Sequence, residues 1–209
     1  MKKALLLFAA LLVAGCGEKS SSEGSESAGE KPTTEPSADT AKPIPAEPPS
    51  EEPSDTPNSL SDADVERLLK EAVDFDSLEE RDGLFYQNNE PYSGWAKNMY
   101  DSGQVEGLGQ AKDGKPDGLM TEWHENGQKK IEVIYKDGEE HGPFRGWHEN
   151  GQKAVEATMK DGKPDGLMTE WHENGQKKIE VIYKDGERVS EKYWNSKGEE
   201  VETKEESEN

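Results

Sequence analysis

Residues 112–139 read KDGKPDGLMTEWHENGQKKIEVIYKDGE, and residues 160–187 repeat them letter for letter. The copied stretch holds two units of a shorter period. Gly94, Gly118, Gly142 and Gly166 stand 24 residues apart, with Ser190 continuing the register, and the same spacing separates Trp123, Trp147 and Trp171, as well as His124, His148 and His172. A fixed period of this length marks a repeat architecture, in which a unit buries its apolar face only against its neighbours. Four units and two partial ones at the ends fit between residues 82 and 203.

Each unit reads as two short strands joined at Glu-Asn-Gly and closed by a Lys-Asp-Gly turn. Face parity separates two ways of making the first turn. A two-residue type I′ loop at Asn126-Gly127 pairs Trp123 with Lys130 and sends Ile131, Val133 and Tyr135 to the face opposite Trp123. A three-residue loop, Glu125-Asn126-Gly127 with Gly127 left-handed in a G1 bulge, pairs His124 with Gln128. Leu119, Thr121, Trp123, Ile131, Val133 and Tyr135 then share one face, and Glu122 lies opposite Lys130. The second register is expected, because a one-residue slip scatters the apolar set. Large strands also alternate with small ones. Ile131, Val133 and Tyr135 correspond to Gly107, Gly109 and Ala111 one unit earlier, an alternation that lets a sheet curl and interdigitate. The fold class expected is all-β: tandem 24-residue β-hairpins in an elongated, twisted antiparallel sheet, preceded by a disordered tether and one short helix.

The tether is residues 17–59. It holds no aromatic residue, one large aliphatic (Ile44) and eight of the twelve prolines, too little apolar surface to fold. Residues 60–76 read as the helix, with Ser61 as N-cap, Asp64 three residues on, and Leu60 and Val65 as a hydrophobic staple. Its stripe of Val65, Leu68, Leu69 and Ala72 is expected to dock on the neighbouring repeats and cap them. An acidic tail, residues 204–209, ends the chain.

At the other end, Lys2 and Lys3 precede an apolar run from Ala4 to Ala14, a secretory signal peptide too short to span a bilayer. The sequence Leu12-Val13-Ala14-Gly15-Cys16 resembles the lipobox of bacterial lipoproteins. That resemblance implies cleavage before Cys16, with a diacylglycerol on its sulfur and an acyl chain on its amino group, hence a palmitate-type anchor in the cell envelope. Gly17 in place of Asp after the cysteine implies sorting to an outer membrane in a host that has one. Cys16 is the sole cysteine, so no intramolecular disulfide forms.

The chain carries 46 Asp plus Glu against 25 Lys plus Arg, a formal charge of -21. Such a surface repels phosphate backbones and anionic headgroups, which argues against nucleic acid as a partner. The histidines do not suggest a metal site. Equivalent residues of successive hairpins lie two strands, about 9.6 Å, apart, whereas zinc needs each nitrogen at roughly 2 Å; a structural role beside the turn is expected, and His141 stands alone. No nucleophile elbow, P-loop or dinucleotide fingerprint is present, so no catalytic residue, cofactor or metal is expected.

The recurrent G-x(4)-W-x-E-N-G-Q-K-x(6)-Y-K-D-G-K-x-x-G resembles the MORN-repeat variant of bacterial proteins, including those called YwqK-family antitoxin components of toxin–antitoxin systems. Gly83-Leu84-Phe85-Tyr86 and Pro91-Tyr92-Ser93-Gly94-Trp95 are similar to the way such proteins begin. The resemblance implies successive β-hairpins and a role in binding other proteins, or membranes in some relatives. Unit one departs from the pattern at Tyr100-Asp101-Ser102-Gly103, and the last unit at Asn195-Ser196-Lys197-Gly198. The expectation drawn is a non-catalytic, membrane-anchored protein-binding module, antitoxin- or immunity-like, whose partner is a secreted or envelope-acting toxin; a structural envelope spacer or adhesin-like stalk is the alternative. Candidate partner-binding residues are Trp95, Trp123, Trp147 and Trp171, set against the reading that they fill the interior of the curled sheet, which period-two aromatics favour.

Overall fold

The computed structural model describes residues 59–208; the expected signal peptide, Cys16 and the expected tether up to residue 58 lie outside the described residues. Helix α1 (Asp62–Glu71) starts at Ser61, whose side chain accepts from the Asp64 backbone N–H at 3.2 Å. It is shorter than the 60–76 read from sequence. Ala72 is already extended at ψ 136°, and β-branched Val73 joins β1 (Val73–Asp74), which pairs parallel with β5 (Gly94–Met99). A 3-10 turn (Phe75–Ser77) follows.

Residues 79–91 correct a second boundary. They form a separate three-stranded sheet, β2 (Glu79–Arg81), β3 (Leu84–Gln87) and β4 (Glu90–Pro91), so the repeat sheet begins at Gly94 rather than Asp82. Phe85 anchors this small sheet by an edge-to-face contact with Phe75, centroids 5.0 Å apart.

From β5 the chain runs as consecutive antiparallel strands: β6 (Val105–Lys112), β7 (Lys115–Trp123), β8 (Lys129–Lys136), β9 (Glu139–Trp147), β10 (Lys153–Lys160), β11 (Lys163–Pro164), β12 (Gly166–Trp171), β13 (Lys177–Lys184), β14 (Glu187–Trp194) and β15 (Glu200–Val201). With β1 they make one twelve-stranded sheet whose strand order follows the sequence. A four-residue helix, α2 (Lys204–Ser207), closed by a Thr203/Glu206 capping box, replaces the expected tail.

Two turn chemistries alternate along the sheet. On one edge Asp113-Gly114, Asp137-Gly138, Asp161-Gly162 and Asp185-Gly186 take positive φ at both positions, the type I′ geometry that tolerates Asp only because its short polar side chain accepts the left-handed region. On the other edge His124 N–H donates to Gln128 O and Gly127 N–H to His124 O, both at 2.8 Å, with Gly127 at φ 84°. This is the three-residue loop with a G1 bulge.

The facial assignment drawn from that loop is nevertheless wrong. Trp123 pairs with Lys129, but Glu122 then pairs with Ile131, leaving Lys130 as an extra, bulged residue. One inserted residue inverts the parity of everything beyond it. Ile131, Val133 and Tyr135 therefore share a face with Met120 and Glu122, while Leu119, Thr121 and Trp123 share the other with Glu132. The same shift follows the turn in units one, three and four, at Glu106, Ala154 and Lys178.

A second irregularity explains the glycine period. Gly109 pairs with Met120, yet Ala111 pairs with Pro116, so β7 carries two residues more than β6 between these pairs. Gly118 sits in that excess at φ 107°; Gly142 and Gly166 occupy the same place at 93° and 91°, backbone that side-chain-bearing residues avoid. Ser190 does not continue the register. It lacks the positive φ, and β14 there carries a single extra residue, Val189. Trp194 accordingly arrives one position earlier than the period that leads from Trp147 to Trp171.

The first face carries the apolar row. Met120, Val133, Phe144 and Ala157 follow one another across strands β7 to β10, then Met168 and Val181, all buried. Side chains of unequal size interleave along it, which keeps the row dense.

Candidate partner-binding face

The opposite face is polar for most of its length. Its central row runs Leu108, Thr121, Glu132, Arg145, Glu156 and Thr169 in successive strands. Arg145 bridges two of the acids, at 3.4 Å from Glu132 and 3.5 Å from Glu156. Each acid also meets a lysine of its own strand: Lys129–Glu132 at 2.9 Å, Lys153–Glu156 at 3.4 Å and Lys177–Glu180 at 2.7 Å. Residues three apart in a regular strand point to opposite faces. The bulge at Lys130 and its equivalents brings them to the same one. The Lys-x-x-Glu recurrence was thus the sequence signal for the bulge, and for this charged ladder.

Unit one breaks the ladder. Where later units have Lys129 and Glu132, it has Val105 and Leu108. Leu108 is completely buried and forms a cluster with Leu68 and Ala72 of α1 and with Trp123, against which Leu60, Val65, Leu69, Trp95 and Val105 pack. Two substitutions of charged by apolar residues thereby make a seat for the helix stripe. Lys97 adds a hydrogen bond to the Leu69 carbonyl at 2.8 Å, closing the helix C-terminus, a place where a cation also meets the negative end of the helix dipole.

The four tryptophans separate accordingly. Trp95 is not on the line of the others: it occupies the position of Leu119 and Leu167, and Met99 is the unit-one equivalent of Trp123. Trp123 is buried in the cluster beneath α1, and half-buried Trp95 packs against it. Trp147 and Trp171 remain half-buried beyond the helix. The Lys129 ammonium stands 5.8 Å from the Trp147 ring centroid, and Lys177 5.2 Å from that of Trp194. An open cleft of about 260 Å³ is lined by Gln128, Lys129, Trp147 and Gly151. The same four residue types recur one unit on, as Gln152, Lys153, Trp171 and Gly175.

Histidine turns out to fasten one unit to the next. Nε2 of His124 lies 2.9 Å from the Trp147 carbonyl, His148 2.9 Å from that of Trp171, and His172 3.0 Å from that of Trp194. A carbonyl only accepts, so Nε2 carries the proton. Asn126, Asn150 and Asn174 amides reach the carbonyls of Glu149, Glu173 and Ser196, each at 2.7 Å. In divergent unit one Tyr100 does the work of histidine, donating to the Trp123 carbonyl at 2.7 Å. His141 stands apart, 3.5 Å from Asp161. Among the described residues no group of three His, Cys, Asp or Glu side chains is placed to hold a metal ion.

Two carboxyls on the apolar face are electrostatically unusual. Glu122 is buried, with Lys130 3.4 Å away and one oxygen unpartnered. Burial pushes its pKa above the ordinary carboxylate range, and Lys130 pulls it part of the way back. Burial likewise raises Glu140, which accepts from the Tyr135 hydroxyl at 3.3 Å, and raises that phenol too.

Residues 116–137, 140–161 and 164–185 match the MORN repeat variant. Each matched segment runs from one Asp-Gly turn to the next and holds one glycine bulge and one Asn-Gly turn. No curated protein and no solved structure matches the chain. The MORN repeat is a non-catalytic module that generally binds proteins or membranes. The units outside the matched segments are those that depart structurally: unit one seats α1, and the last lacks the glycine bulge.

Proposed function

We propose that this chain is a non-catalytic protein-binding module, held at the cell envelope by a lipid on Cys16, whose partner meets the polar face at Trp147 and Trp171. The observation that carries the reading is the contrast on that face. Trp123 is covered by the chain's own helix and half-buried Trp95 packs against the same cluster, whereas Trp147 and Trp171 are half-buried beside paired charges with no described helix over them. Tryptophan beside arginine and a polar surround is the composition of interface hot spots. The lipobox-like segment supports the anchor, and an anchor of that kind puts the partner outside the cytoplasm. An antitoxin role, in that setting, means immunity to a secreted or envelope-acting toxin.

Affinity capture from envelope and culture-supernatant extracts tests this, using the full chain beside a Trp147→Ala/Trp171→Ala variant whose fold is confirmed by circular dichroism. One partner retained by the parent and lost by the folded variant is the expected result. Retention of nothing at physiological salt sinks the partner reading and leaves the structural spacer in its place. The anchor is tested separately: radiolabelled palmitate enters the parent and fails to enter a Cys16→Ser chain.

A further inference from the structure

We propose that residues 49–58 of the chain itself occupy the Trp147 and Trp171 niches, so that the tether competes with any partner for the same face. Where the tether ends carries the inference. The Ser59 hydroxyl donates to Glu132 at 2.8 Å and accepts from the Lys129 ammonium. Lys129 lines the cleft together with Gln128, Trp147 and Gly151. The preceding residues are therefore delivered to the mouth of the cleft at essentially no loop-closure cost.

Their chemistry suits it. The segment reads PSEEPSDTPN, with Pro49, Pro53 and Pro57 and with Glu51, Glu52 and Asp55 but no basic residue. Proline locks its own φ in the range of the polyproline II helix and so biases such a sequence toward that conformation, whose rings dock in aromatic-lined grooves. Ten such residues reach roughly 31 Å, enough to pass both rings. The charge agrees as well. On this face Lys129, Arg145, Lys153 and Lys177 outnumber Glu132, Glu156 and Glu180, although the whole chain carries -21. An acidic segment finds here a surface that does not repel it.

The docking rests on the proposed function only for its consequence, competition with a partner, and is tested with no partner present. In the full-length ¹⁵N-labelled chain the indole N–H resonances of the tryptophans report each ring directly. Changing Pro49, Pro53 and Pro57 to glycine is expected to move the Trp147 and Trp171 signals by more than a line width and to leave Trp123, under α1, in place. A synthetic peptide of residues 49–58, added in excess to that variant, is expected to return both signals toward their parent positions. Unchanged Trp147 and Trp171 signals in the variant overturn the proposal. So does a dependence of the parent signals on protein concentration, which would hand the niches to a second copy of the chain.

Discussion

Trp123 is 7 % exposed, while Trp171, the same residue of the second copy, stands half-buried with no described helix over it. The contrast extends along the duplicate. Leu119 and Ile134 are half-buried; their counterparts Leu167 and Ile182 are 54 % and 47 % exposed. The turns, the bulge after each Asn-Gly turn and the pairing inside each hairpin do not differ, and left-handed residues fall at the same places, although β7 runs unbroken where the second copy divides into β11 and β12. What differs is the neighbour on each side. The first copy lies between β6, which supplies Leu108, and β9, which sets Phe144 beside Val133; the second lies between β10, with Glu156, and β14, which sets Glu191 beside Val181. Glu140 accepts from Tyr135 in one copy, and in the other Arg188 donates to Tyr183 at 3.3 Å. Local sequence fixes the hairpin; burial is decided by the strands beside it.

Converting the first environment into the second is the largest perturbation this comparison suggests. Leu108→Glu restores the residue of the later units in a fully buried place. It puts a charge against Leu68, Ala72 and Trp123, and an unpaired buried carboxylate costs several kcal/mol unless its surroundings open. The expected outcome is release of α1: hydrogen exchange in residues 62–71 loses its protection while the β12–β13 amides keep theirs. Retained protection of α1 would mean that the helix is held by something other than this seat.

Trp123→Ala and Trp171→Ala come next. Emptying the covered site is expected to cost about 3–5 kcal/mol, and the half-open one roughly 1–2 kcal/mol. Urea denaturation measures both, and equal midpoints would show that α1 contributes no burial to Trp123. A smaller difference separates the bulge glycines. Alanine at either must adopt a positive φ, at about 1–2 kcal/mol. At Gly118 its Cβ would also lie 2.2 Å from Gln110 Oε1, whereas at Gly166 nothing stands within 4 Å. Gly118→Ala is therefore expected to be the more destabilising, by no more than the cost of moving one flexible glutamine.

The turns were legible because Asp-Gly and Asn-Gly carry their backbone geometry in their residue types, and the helix start because Ser61 accepts from the Asp64 N–H and donates its hydroxyl to the Asp64 carboxylate. The bulge at Lys130 was not. A bulge at a side-chain-bearing residue without a positive φ leaves no compositional mark, and its trace lay in the spacing of Lys129 to Glu132. The helix seat was overlooked for a related reason: Val105 and Leu108 look unremarkable in a strand until they are aligned with Lys129 and Glu132. Among the candidate tryptophans, spacing alone already set Trp95 apart, since its interval to Trp123 exceeds the interval from Trp123 to Trp147. The shortened interval from Trp171 to Trp194 likewise recorded the missing bulge residue.

The finest test of the comparison is the pair Glu122 and Glu170. Glu122 is 3 % exposed with an unpartnered oxygen, and Glu170 is half-buried. Because burial holds the folded pKa of Glu122 above its unfolded value, the native state binds the proton more tightly than the unfolded chain. By linkage, this group lowers stability at neutral pH, and the penalty is relieved as pH falls through the folded value toward the unfolded one near 4.5. A neutral glutamine removes the charge at every pH. Glu122→Gln is thus expected to raise the melting temperature at pH 7, by an amount corresponding to on the order of 1 kcal/mol, and the gain should shrink as the parent carboxyl itself becomes protonated on acidification. Glu170→Gln, in the same sequence but with solvent at hand, should raise the melting temperature less at pH 7. Equal gains for the two substitutions would mean that Glu122 is solvated in solution and that its copy differs in name only.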